Sequence, residues 1–369
     1  MKRITSIITI LVILGFPGMM AAQSCWTNFR GDTQLRGSTT ASIPAEPDLL
    51  WNFKTNDAIK ASPVVCEGII VAGSVDGNVY GITMEGKLKW KINTGNGIEA
   101  AALIHKGMVY VGNLDGKVLA LELLTGKVIW TYETEGQIMG APNILGEENI
   151  LVIGSYDYYL HGIDAVTGKG LWKYESDNFI NGSPAIYKGV AIFGGCDGLM
   201  HQVYVKDGSL KSREPVATYV AGSVAVDNWI TFVGDYDGKF TSMDLRNGHV
   251  LWSYKNPDTD LPFIASPSLS SKVVFIGNRD KYVYCFSKAD GTLLWKRNMR
   301  SRVDASPVLV KNRLVVATMR GDLALLDTYD GAVKWIYELG SGINGNPAVI
   351  DGRIIVGADD GRIYCFGKK

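Results

Sequence analysis

The chain has little with which to do covalent or metal chemistry. It carries four histidines and five cysteines in 369 residues. No Cys-x-x-C pair occurs, which removes the zinc and redox motifs built on that spacing. No two cysteines are adjacent. A Gly-rich phosphate loop, a G-x-S-x-G elbow and a metalloprotease helix are all missing, and with them the common marks of nucleotide binding, serine hydrolysis and metalloproteolysis. Charge of one sign is lacking as well. Lys plus Arg and Asp plus Glu number 37 each, so no general attraction to nucleic acid or to an anionic membrane is expected. Helical periodicity is absent beyond the N-terminus. The one long apolar run is Ile4 to Phe16, preceded by Lys2 and Arg3 and followed by Met19-Met20-Ala21-Ala22. This layout predicts a secretory signal peptide over residues 1–22. The competing reading is a membrane anchor, but the run is shorter than the roughly 20 residues of a spanning helix.

Cys25 lies just past that leader. A bacterial lipoprotein is cut before such a cysteine, and Ser24 is suitably small, although Gln23 and Ala22 depart from the usual lipobox. Lipidation of Cys25 is therefore one expectation, and membrane association would depend on it. Five cysteines cannot all pair within one chain. Cys285 and Cys365 occur in matching contexts, Tyr284-Cys285-Phe286 and Tyr364-Cys365-Phe366, which predicts buried small hydrophobes on strands rather than a metal site.

What the chain does have is a repeat. Trp90, Trp130, Trp172, Trp252, Trp295 and Trp335 stand 40, 42, 80, 43 and 40 residues apart, and the step of 80 is two periods with one Trp missing. A second landmark fixes the count. Ser62-Pro63, Ala141-Pro142, Ser183-Pro184, Ser266-Pro267, Ser306-Pro307 and Asn346-Pro347 each open a short apolar strand, and Ala101-Ala102 and Ser223-Val224 fill the two gaps. Each of these eight repeats reads as four short strands. In the first, turns fall at Glu67-Gly68, Asp76-Gly77 and Glu85-Gly86-Lys87; Asp-Gly is a strong hairpin signal because glycine takes positive φ without steric cost.

Four antiparallel strands in about 40 residues make one propeller blade. The expected fold is all-β, an eight-bladed β-propeller over residues 47–369, preceded by an extension over residues 23–46. The last repeat stops at Lys369 after three strands. Asp48-Leu-Leu-Trp51-Asn-Phe53 looks like the missing fourth, so this N-terminal strand should close the last blade and remove the open sheet edges. The fourth blade has Ser212 where Trp is expected, which predicts an outer strand burying less apolar area by about 1.5–3 kcal/mol, or an edge that contacts a partner.

The unit Asp115-Gly-Lys-Val-Leu-Ala-Leu-Glu-Leu-Leu-Thr-Gly-Lys-Val-Ile-Trp130 resembles the repeat of the pyrroloquinoline-quinone (PQQ)-type β-propellers, as does Tyr159-Leu-His-Gly-Ile-Asp164-Ala-Val-Thr-Gly-Lys-Gly-Leu-Trp172. Trp26-x-x-Phe29-Arg30-Gly31 resembles the opening of many secreted propellers of this type. The resemblance implies that Trp51, Trp90, Trp130, Trp172, Trp252, Trp295 and Trp335 are structural, each packing against a neighbouring blade. It offers two branches. The quinoprotein alcohol dehydrogenases hold PQQ and calcium near the axis, but they are longer and carry adjacent cysteines, and no recognisable calcium-binding carboxylate set is found here. The non-enzymatic branch includes the barrel-assembly lipoprotein of the outer membrane, which is similar in length, blade count and leader.

A site, if there is one, is expected at the axis mouth, where the inner strands converge. The position two before each Ser-Pro landmark holds Lys60, Glu99, Met139, Asn181, Ala221, Ile264, Asp304 and Asn344, with Arg302 two residues earlier than Asp304. Lys60, Glu99, Asn181, Arg302, Asp304 and Asn344 are the candidate ligand-binding residues; ion pairing within a solvated rim is the competing reading. No catalytic residue and no metal site is expected. His161 and His201 share a repeat position but lack a third ligand at a telling spacing. Tyr156, Tyr158, Tyr159 and Tyr236 cluster at the Asp-turns of blades three and five and could offer a stacking surface. The expectation is a secreted, monomeric, non-catalytic propeller of the bacterial envelope, periplasmic, outer-membrane-associated or at the cell surface. It would act as an interaction or assembly scaffold for an envelope or outer-membrane protein, with no cofactor and no nucleic acid. The alternative is a PQQ- or carbohydrate-binding propeller using the axis mouth, with calcium accompanying the quinone.

Overall fold

A computed structural model describes residues 25–220 and 222–369. The leader expected over residues 1–22 and the ring position Ala221 lie outside these residues. The described residues form eight sheets of four antiparallel strands, one of which carries a fifth strand. The first blade is Val64–Cys66, Ile69–Gly73, Asn78–Thr83 and Leu88–Asn93. Its three turns each place a glycine at positive φ: Gly68 at 75°, Gly77 at 82° and Gly86 at 80°. The second strand is buried along its whole length, whereas the outer strand, mostly exposed, covers Trp90 and half-covers Ile92. This is the pattern of sheets stacked face to face around an axis, with only the outermost strand half in water.

Closure follows the sequence expectation. Asp48–Lys54 pairs antiparallel with Arg362–Gly367, setting Trp51 opposite Cys365, and becomes the outer strand of the eighth blade. Cys285 and Cys365 are buried on third strands, and burial pushes both thiols up to about 12.

The Trp device works through a bulge. In the second blade the register slips between Val128 and Trp130, and every other blade slips at the same place. A bulge turns the side chain that follows it, here towards the next blade. The Trp90 indole N–H donates to the Leu123 carbonyl at 2.8 Å. The ring lies on Gly126, where an added Cβ would come within 2.7 Å of it. Gly126 is thus required twice, by its φ of 72° and by its neighbour's indole. Trp51, Trp130, Trp172, Trp252 and Trp295 repeat the bond, donating to Met84, Ala165, Val205, Lys288 and Thr328. Trp335 faces the eighth blade, whose last two strands come from opposite chain ends, and packs edge-on against Phe366 at 5.9 Å.

In the fourth blade a polar contact takes the place of the missing Trp at Ser212. The side-chain amide of Gln202 donates to Ser212 Oγ at 2.7 Å and to the Leu245 carbonyl at 2.8 Å. Leu245 holds the place that Leu123 and Val205 hold in their blades. Gln202 therefore makes the bond the missing indole would have made. Lys211 completes the patch, donating to Gln202 Oε1 at 2.7 Å and resting over the Trp229 ring at 4.7 Å.

The extension is part of the ring rather than an appendage. Trp26 bridges Val65 in the first blade. The Thr27 carbonyl accepts the N–H of Ile104 in the second, and the Thr33 carbonyl accepts from Asn143 and Ile186 in the third and fourth. Gln34, Arg36 and Gly37 accept from Val226, Leu269 and Leu309 in the next three blades, and Ser42 accepts from Gly352 in the eighth. Ser38–Thr39 also adds the fifth strand, parallel to Val308–Val310. The strap so formed meets every blade in chain order. At its start Cys25 is disulfide-bonded to Cys66 of the first blade. That bond corrects the lipidation expectation, because a sulfur engaged in a disulfide cannot also carry the thioether of a lipid anchor.

Candidate functional site: the axis mouth and its aromatic flank

The connectors from each outer strand to the next inner strand converge on one end of the axis. They enclose a cavity of about 250 Å³ lined by Lys60, Glu99, Met139, Asn181, Ile264, Asp304 and Asn344. Five of the six candidate residues are thus brought together. Arg302 is not among the lining residues; it is exposed. The connector is irregular there, so the two-residue alternation that would align Arg302 with Asp304 does not hold. The cation paired with Asp304 is Arg279, at 3.3 Å. Phe29 of the strap also lines the cavity.

The polar groups of the mouth are largely committed to partners. Lys60 and Glu99 form an ion pair at 2.7 Å, and this hydrogen bond raises the Lys60 pKa against the opposing effect of burial. The Tyr156 hydroxyl donates to Asn181 Oδ1 at 2.9 Å, and the Asn344 amide donates to Asp359 at 2.6 Å. A calcium-held quinone asks for several oxygens converging on one point. The two carboxylates of the mouth are each neutralised by a cation. Among the described residues no group of three or more His, Cys, Asp or Glu is placed to share a metal ion. The mouth does not fit a calcium–PQQ group.

The two shared-position histidines have another role. His161 Nδ1 lies 3.0 Å from the Tyr132 hydroxyl of the preceding blade, and its Nε2 lies 3.0 Å from Asp157. His201 repeats this with Tyr174 at 3.0 Å and Asp197 at 2.8 Å. In the first and eighth blades a tyrosine stands at this position, and Tyr80 and Tyr364 donate straight to Asp76 and Asp360 at 2.6 and 2.7 Å. These groups anchor the Asp-turns. Burial pushes the Asp157 carboxyl up, but the hydrogen bond and charge of His161, with the N–H groups of Glu135 and Tyr159, outweigh it and leave the group at about 2.

Beside the mouth, on the same face, lies an aromatic surface. Tyr156 stacks on Phe179 at 4.6 Å, and Tyr158 packs against Phe179 at 5.0 Å. Tyr219 and Tyr236 meet edge-to-face at 4.8 Å in the loops of the next blades. Tyr158, Phe179 and Tyr236 remain exposed at 44%, 37% and 43%. Tyr158 holds φ at 74°, in a place where six other blades have glycine. A bulky side chain there is strained, and such strain collects at functional surfaces. The sequence singled out Tyr156, Tyr158 and Tyr236. Phe179 and Tyr219 were missed, since they sit in connectors and carry no repeat signal. Tyr159 instead sits on the third strand of its blade, with Lys173 over its ring at 5.6 Å.

A family model described as outer membrane protein assembly factor BamB matches residues 36–142, 94–227, 136–254 and 279–369. The outer membrane protein assembly factor BamB of Escherichia coli K12 is 24% identical over 148 residues, 37% of this chain and 36% of that protein. The matched part thus spans little more than a third of that relative's length. Among solved structures, BamB from Moraxella catarrhalis aligns with a TM-score of 0.75 at 19% identity, covering 88% of this chain and 98% of that one. A europium-containing methanol dehydrogenase aligns with a TM-score of 0.81 at 13% identity, covering 93% and 98%. At these identities the structural likenesses establish the propeller fold and nothing finer.

Proposed function

We propose, from the premise that the chain belongs to the family of PQQ-type repeat propellers described as outer membrane protein assembly factor BamB, that it is a non-catalytic interaction scaffold of the bacterial envelope. It works as a monomer, on the outer side of the inner membrane, and docks a protein of outer-membrane assembly. The observation that carries this reading is the exposed aromatic surface of Tyr158, Phe179 and Tyr236, with Tyr156 half-buried beneath Phe179. Contiguous exposed aromatics rimmed by polar groups are the usual composition of a protein-binding patch. The disulfide between Cys25 and Cys66 supports an oxidising compartment, where such bonds persist. The committed, charge-balanced mouth supports a role without redox chemistry.

A photoreactive phenylalanine analogue in place of Phe179 tests the reading in intact envelopes. The expected product is an ultraviolet-dependent adduct with a component of outer-membrane protein assembly, identified by mass spectrometry. The same analogue at Arg353, on the second strand of the eighth blade, should give no such adduct. A scaffold docking through this surface is refuted by no adduct at position 179, or by the same adduct from both positions.

A further inference from the structure

Beneath the mouth, the side chains at the Ser-Pro landmarks are linked blade to blade with one polarity. Ser183 Oγ accepts the N–H of Ala141 at 2.8 Å, and Ser223 Oγ accepts that of Ser183 at 2.8 Å. Ser266 and Ser306 continue the series at 3.1 and 2.8 Å. Asn346 Oδ1 accepts from Ser306 at 2.6 Å, and Ser62 Oγ accepts from Asn346 at 2.8 Å. Each oxygen is therefore used as an acceptor by the blade before it. What each side chain has left to give is a donor: one O–H per serine and the amide N–H groups of Asn346. Among the described residues none of these donors has an acceptor. All six residues line the cavity. Six blades thus present unused donors to one small axial space.

A second, independent feature has the same sign. Arg30 of the strap is fully buried beneath this ring. Its guanidinium donates to the carbonyls of Ser306 at 3.2 Å, Pro307 at 2.6 Å and Pro267 at 3.2 Å, and its Nε meets no partner. The nearby carboxylate, Asp32, is engaged by Arg36 at 2.7 Å. Burial lowers the Arg30 pKa to about 9, with Asp32 opposing, so the group remains a cation at neutral pH. A buried charge without an ion-pair partner is costly. Above it, the pairs Lys60–Glu99 and Arg279–Asp304 cancel, so the rim does not repel an anion.

We propose that the axial pocket binds a small carboxylate, held by the serine hydroxyls and the Asn346 amide over the charge of Arg30, with Phe29 as its floor. The cavity of about 250 Å³ suits a ligand of a few heavy atoms or the last residue of a peptide. This inference does not rest on the scaffold reading, and either stands if the other fails. The carboxylate has two sources, a free organic acid or a chain end, and donor-lined concavities capture both.

The test is calorimetric titration of the intact secreted protein in low-chloride buffer. Its probes are acetate, succinate and a short peptide with its C-terminus either free or amidated. Binding of the acids or of the free-ended peptide, with none for the amidated one, is expected. Tighter binding of succinate identifies a free acid as the source, and tighter binding of the peptide identifies a chain end. The double variant Ser183→Ala/Ser266→Ala should weaken binding at least about tenfold while keeping its fold, because alanine already occupies the ring at Ala101 and Ala141. Arg30→Met should abolish binding; if it fails to fold, the serine variant decides. Flat titrations with every carboxylate, equal affinity for the amidated peptide, or unchanged affinity in the serine variant would each overturn the proposal.

Discussion

If Gln202 substitutes for a missing indole, the two positions 202 and 212 should be exchangeable as a pair and not singly. Gln202 is 1% exposed, and its amide satisfies the Leu245 carbonyl. Gln202→Ala leaves that carbonyl without its donor and opens a void, at a cost of about 1–3 kcal/mol. Ser212→Trp alone drives an indole into the space Gln202 fills. The room needed is clear from the first and third blades, where a Cβ on Gly81 or Gly162 would sit 2.1 Å from the blade's own Trp. Overpacking of this kind costs about 1–3 kcal/mol. The double variant rebuilds the arrangement of the second blade, where Ala120 pairs with Trp130. The new indole can then donate to Leu245 and lie on Gly248, whose φ of 73° matches Gly126. It should be at least as stable as the wild type, so the coupling free energy between the two changes is at least the sum of the two single costs, about 2 kcal/mol or more. Equilibrium unfolding in guanidinium measures all four proteins, and each kcal/mol corresponds to about 1–2 °C in Tm for a domain this large. Additive single effects, leaving the double variant the least stable, would refute the substitution of Gln202 for the indole.

Other outcomes follow from the same structure. The Asp157 carboxyl sits at about 2 in the fold against an ordinary 3.8, so its contribution is complete above the ordinary value and is lost as pH falls towards 2. Melting temperature across that window should therefore fall less steeply in Asp157→Asn, and parallel curves would count against the His161–Asp157 anchor. Cys25→Ser opens a disulfide closing 41 residues and should destabilise by about 2–4 kcal/mol; intact-mass analysis of the wild type should show a mass two hydrogens below the reduced chain and no lipid. Tyr158→Gly removes a strained φ and should raise stability by up to about 1 kcal/mol while weakening partner capture; a gain in both would disconnect the strain from docking. Mixed with PQQ and calcium, the protein should acquire no cofactor absorbance and no dye-linked alcohol oxidation.

The fold was legible because a propeller repeats its physics. Trp, Asp-Gly and Ser-Pro recur since each blade meets the same neighbour, and Trp51 exposed the closure by keeping the period across the chain ends. Five of six mouth residues were legible for the same reason, through one aligned position. Single events without a copy to compare were not. The strap occurs once, so nothing in its sequence says that its carbonyls meet eight different blades. The Cys25–Cys66 pair joins a unique segment to one repeat and leaves no spacing rule. Gln202 could be noticed only by asking what fills a space, and that question needs three dimensions. Arg302 was misplaced because closeness in sequence to Asp304 does not fix where a side chain falls in a connector that is not a strand.

The strap has a consequence for how the molecule comes apart. Stacked repeats that touch only their neighbours can fray one at a time, since each loss leaves the rest intact. Here a single segment is bonded to all eight blades, pinned at its start by Cys25 and running directly into the closing strand Asp48–Lys54. Lifting any blade strips one of its bonds, and losing the strap loosens all eight. The ring is thereby made one cooperative unit. Although this segment leaves the ribosome before any blade, it can be seated only after the last one has formed.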